Sequence, residues 1–195
     1  MRATLDKLIS WTGLLLAVVL LVAGGLLTWA SNFTHDQVTT QLKDQHITMP
    51  EGDALATKEM KDALGKYAGE PMTTGPQAKA YADHYILVHM NESSDGKTYS
   101  EVSGEFMAMS ADENADPDKL AELGQLRQTL FMGSTLRGLL LNAYAFWTLG
   151  TIAQIASIVS YVGAAFMFVL GLLGLSHAKK AAAAEPVVKE PVATA

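Results

Sequence analysis

The chain has no cysteine, which excludes disulfide bonds, thiolate metal centres, a cysteine nucleophile and a lipid-bearing N-terminal cysteine. Its folded part must hold through an apolar core or through a partner. No sustained alternation of apolar and polar residues occurs, so nothing supports a sheet. Internal repeats, a glycine-rich phosphate loop, a serine nucleophile elbow and a haem-attachment motif are also missing. Charged residues make up only 17% of the 195 positions, and they are unevenly placed. Residues 8–34 carry none, and neither do residues 138–176.

Those two stretches are too apolar for the surface of a soluble domain and read as membrane-embedded. The second, taken as a helix, would be about 58 Å long against a hydrocarbon layer of about 30 Å. Part of it must therefore lie outside the bilayer core. In the first stretch Trp11 and Trp29 stand about 27 Å apart along a helix, a spacing that suits aromatic belts at the two interfaces. A spanning helix over residues 10–30 is expected. A cleavable signal peptide is the competing reading, because a basic start precedes the apolar run and Thr28 and Ala30 make a small-residue site. The spanning length of the run favours an uncleaved anchor.

In the second stretch Arg137, Tyr144 and Trp147 are the expected outer anchors, with Arg137 reaching to lipid phosphate. Residues 148–175 are then left to span. Arg2 and Lys7 precede the first span and Lys179 and Lys180 follow the second, so both termini are expected in the cytoplasm of a multi-pass plasma-membrane protein. The segment between the spans, residues 31–137, holds 17 acidic against 9 basic side chains, a balance of −8 within a chain of net charge −6. It reads as extracytoplasmic, and so acidic a surface speaks against nucleic acid as a partner.

The resulting division is a cytoplasmic N-terminus (1–9), a first span (10–30), an extracytoplasmic helical domain with an interfacial shoulder (31–147), a second span (148–175) and a cytoplasmic, unstructured tail (176–195). Fold class is all-α: two transmembrane helices extended outward as a stalk, with a small helical domain between them. Within that domain residues 53–66 carry a weak apolar stripe and predict a short surface helix. Thr74-Gly75-Pro76 opens the strongest local pattern, a central helix with Tyr81, His84, Tyr85 and Leu87 on its packed side and Lys79 and Asp83 away from it. Thr98 and Glu101 fit a capping box. Asp116-Pro117 starts a helix that runs unbroken into the second span.

Chemistry-bearing residues are dispersed. His84 and His89, five apart, point about 140° from each other on a helix and cannot share one ion. Acidic pairs such as Glu101 and Glu105 are expected by chance among 17 acids. No cofactor bound by this chain is expected. The spans are more informative. Ala153, Ser157, Ser160, Ala164 and Gly171 form a small-residue face on the second, Gln154 and Tyr161 line a strip beside it, and Gly13 and Ala17 offer a small face on the first. Such faces let helices approach closely in lipid. Packing of the two spans on each other uses one face per helix, and remaining faces are candidates for docking other integral membrane subunits.

Several blocks in order, TLDKLISWTGLLLAVVLLVAGGLLTWA, TTGPQAKAYADHYILVHMNE, KTYSEVSG and TLFMGSTLRGLLLNAYAF, resemble a family of small actinobacterial two-span membrane proteins. The dioxygenase activity sometimes ascribed to that family needs convergent histidine and carboxylate ligands, which this sequence does not supply. The architecture is similar to that of accessory subunits of the actinobacterial cytochrome bc–cytochrome oxidase supercomplex. The resemblance implies a non-catalytic accessory subunit that contacts membrane lipids and respiratory subunits. A free-standing envelope scaffold or transporter partner is the alternative, followed by an outer-face enzyme.

Overall fold

The computed structural model describes residues 2–184, and among them there is no strand. Helix α1 spans Arg2–Asp44 and helix α6 spans Pro117–Ala184, with 43 and 68 residues. Each has a segment long and apolar enough to cross a membrane. Between them lie α2 (Lys58–Leu64), α3 (Gly75–Tyr81), α4 (Leu87–Ser94) and α5 (Tyr99–Ser110). A π-helical stretch, Ala82–Ile86, joins α3 to α4 without a break. The chain forms two compact units, one from Met1–Ser31 and Ile152–Ala195, the other from Asn32–Thr151. We refer to them as the paired-helix unit and the central unit.

The helix starts in the central unit are set locally. Thr74 accepts from the Gln77 backbone amide while the Gln77 side chain accepts from the Thr74 amide at 3.0 Å. Thr98 and Glu101 repeat that reciprocal arrangement, the carboxylate accepting at 2.7 Å. Each box satisfies amides that the first helical turn leaves open. Before α6, Asp116 Oδ1 accepts from the Asp118 amide at 3.0 Å. Asp95 and Gly96, both at positive φ, close α4.

The core of this unit collects Val38 and Leu42 from α1, Ala78 from α3, Ala82 from the π stretch and Leu140 from α6. Met49, Met60, Leu64 and Met72 fill its other side, each essentially inaccessible to solvent. The stripe expected over residues 53–66 is thus a core element rather than a surface helix. It is also shorter, because Thr57 caps α2 and 3₁₀ turns flank it at Gly52–Ala54 and Gly65–Tyr67. Backbone bonds from Met49 to Glu70 and from Met72 to Ile47, both 2.8 Å, clasp the ends of this segment together. Helix α5 lies against α6, with Val102 and Leu130 buried, the Tyr99 and Phe131 rings 5.7 Å apart, and the Arg127 guanidinium 4.7 Å from the Phe106 ring centre.

The tail expected to be unstructured from residue 176 is helical through Ala184. Alanine is the best helix former, and the first proline of the tail, Pro186, comes after this point. Residues 185–195, the rest of that expectation, lie outside the described residues.

Candidate functional site

In the paired-helix unit the small residues lie between the two helices. Ala17, Ser157 and Ala164 are buried. Gly13 faces Met167, and Gly171 faces Leu14 and the Ser10 carbonyl oxygen. A Cβ on Gly171 would come within 2.8 Å of Leu14 and 3.2 Å of that carbonyl, so the absent side chain allows the close approach. Tyr161 reaches across to Thr28, the hydroxyls 3.2 Å apart, and lies over Gly24. The sequence did not single out Thr28 as its partner. Ser160 donates to the Ala156 carbonyl within its own helix, and Ser160 and Ala153 are half-buried. Gln154 is exposed, as are Trp11 and Trp29.

The three expected anchors of α6 have protein partners in the central unit. Arg137 Nη2 donates to Asp83 Oδ1 at 2.8 Å, while the Lys79 ammonium donates to the other oxygen of the same carboxylate. Tyr144 and Trp147 back onto Gly75, and the Lys79 ammonium stands 5.7 Å from the Tyr144 ring centre. The Trp147 ring lies 4.3 Å from that of His35, whose Nε2 is 3.1 Å from the Trp147 carbonyl oxygen. Lys79 and Asp83, expected on the solvent side, instead face α6: the Asp83 side chain is only 18% exposed. The reason is long-range, since a carboxylate held by two cations is cheaper to bury than a lone one.

Burial opposes ionisation of Asp83, but hydrogen bonds and charge from Lys79 and Arg137 outweigh it and hold the carboxyl below its ordinary value of 3.8. A carboxyl lowered on folding adds stability above the unfolded value and loses that contribution as pH falls through the folded one. Asp83→Asn is therefore expected to flatten the decline in central-unit stability below about pH 4. Thermal midpoints measured from pH 2 to 7 check this, and parallel acid limbs for variant and native chain would refute it.

The π stretch carries His84, whose Nδ1 is buried and 3.5 Å from Glu59 Oε1, beyond good hydrogen-bond length. Tyr81 and Tyr85 stack at 4.9 Å, and burial followed by the Tyr85 charge raises the Tyr81 hydroxyl above its ordinary pKa. His89 bonds the Tyr85 carbonyl at 2.8 Å. No group of three or more metal-ligating side chains converges among the described residues.

The central unit has a cleft of about 950 Å³ between residues 33–44 of α1, with the turn that follows, and residues 136–146 of α6. The Tyr81 and Ile86 side chains form its third wall. Sequence reasoning missed it, although Gln37, Gln41 and Gln45 at intervals of four mark the wall formed by α1 and the turn after it. No protein-family model, curated protein or solved structure matches the chain.

Proposed function

We propose that the chain is a non-catalytic subunit of a larger membrane assembly, with both termini cytoplasmic and the central unit extracytoplasmic. The observation that carries this reading is Gln154. It is the seventh residue of the expected second span, about 9 Å inside it, yet its side chain is exposed and makes no hydrogen bond among the described residues. An amide facing hydrocarbon is costly, and a neighbouring helix that bonds it removes the cost. Exposed Ile155, Ile158 and Val162 extend the surrounding face. The acidic balance of the central segment suits attraction of a basic partner.

The family resemblance makes the cytochrome bc–cytochrome oxidase supercomplex the first assembly to test. Affinity purification of the tagged chain in mild detergent, followed by mass spectrometry, is expected to recover its haem-containing subunits. Gln154→Leu is expected to lower that recovery several-fold. Intact supercomplexes lacking the chain would reject this partner, and undiminished recovery with Gln154→Leu would reject the docking face.

A further inference from the structure

The geometry points to a binding site, in the cleft of the central unit, for a membrane lipid with an uncharged, hydroxyl-bearing headgroup. This rests on the chain crossing a membrane but on no particular partner complex. A volume of about 950 Å³ falls within the range of small-molecule sites. The lining contains no Asp, Glu, Lys, Arg or His, although the surrounding segment is rich in charge. A phosphate or carboxylate headgroup would find no counter-charge there, so the site selects a neutral one.

What the cleft offers instead is amide. Gln37 and Gln41, four residues apart, form a row along α1, Gln45 continues it in the turn just past the helix end, and Asn142 contributes from α6. Their side chains are exposed and make no hydrogen bond among the described residues. Each amide carries both donors and an acceptor, a set that matches hydroxyl groups. Beside the row stand apolar side chains left open to solvent, including Leu139 at 62% and Phe33 at 54% exposure, with Phe146 nearby. An exposed apolar wall of this kind calls for an apolar cover.

The chain path selects a lipid over a water-soluble ligand. Phe33, at one end of the cleft's α1 wall, is four residues or about 6 Å beyond Trp29, the expected interfacial aromatic. Gln41 is eight residues or about 12 Å further along α1, and Gln45 lies in the turn past the helix end, at the other end of the cleft. An acyl chain lying against Phe33 would remain joined to the bilayer while its headgroup rests on the amide row.

The test uses the full chain in nanodiscs of phosphatidylglycerol doped with a glucosyl diacylglycerol that carries a diazirine on one acyl chain. After irradiation, peptide mass spectrometry is expected to find label on residues 33–47 and 136–146. Phosphatidylglycerol bearing the same diazirine is expected to label these segments at least fivefold less. Ala143→Trp, which fills the cleft, should reduce the glucosyl label at least fivefold. Because Ala143 also abuts the core, the double variant Gln37→Leu with Gln41→Leu, at two exposed positions, is read alongside and should give the same loss. Equal labelling by both probes, no cleft labelling by the glucosyl probe, or undiminished labelling of the double variant would overturn the assignment.

Discussion

Replacing Gly75 with valine is expected to destabilise the central unit by about 3 kcal/mol, the upper part of the usual range for overpacking. A Cβ at this position would clash with the Trp147 Cβ and lie 2.6 Å from its Cγ and 3.2 Å from the Tyr144 Cα. A side-chain tip can rotate away from such a clash, but here the obstacles are the root of Trp147 and the backbone of α6. The helix that starts at Thr74 would have to back off α6, weakening the Asp83–Arg137 bond and the His35–Trp147 contact in the same unit. Thermal unfolding followed by the near-ultraviolet tryptophan signal, with limited proteolysis of residues 46–74, measures the effect. A Tm within a degree of the native chain would contradict it.

Leu64→Ala is expected to cost about 2–3 kcal/mol, the lower half of the range for emptying a leucine site. Leu64 is wholly buried in the core that also holds Met49, Met60 and Met72. Methionine is unbranched and adapts to irregular space, so these neighbours can partly refill the void. For the same reason Leu64→Met should cost less than about 1.5 kcal/mol. Equilibrium unfolding of the two variants in one detergent distinguishes this from a rigid core, in which Leu64→Ala would approach 5 kcal/mol.

Features encoded within a few residues were legible in the sequence. The Thr98–Glu101 box is read from spacing alone, because donor and acceptor are three residues apart, whereas the start of α3 is marked by Pro76 with Thr74 or Gly75 as its cap, and the Gln77 partner picks out Thr74. Ala17, Ser157 and Ala164 are buried, and the spacing of the last two puts them on one side of their helix. Features joining distant positions were not. Asp83 and Arg137 are 54 residues apart, and Arg137 next to an apolar run gives the same local signal whether it meets a lipid phosphate or a carboxylate. The clasp between residues 47–49 and 69–72 is too short to leave an alternating pattern. The cleft is a property of two helices together, so its amide row on α1 had no visible counterpart until Leu139 and Phe146 were placed opposite.

The π-helical stretch Ala82–Ile86 has an angular consequence. Residues 75–94 meet α6 at successive points, Gly75 at Trp147, Asp83 at Arg137 and Met90 at Gly133. A wider turn takes up about one extra residue, and each residue of an α-helix advances the azimuth by about 100°. Were all these residues regular α-helix, every side chain after Ile86 would swing by that angle and Met90 would leave Gly133, whereas deleting a single residue from 82–86 would restore regular pitch with both ends still in phase. The stretch therefore sets the rotational phase between the two ends of this rod. A chain shortened by one residue there can keep both the Gly75 and the Met90 contacts, and one of full length without the wide turn cannot.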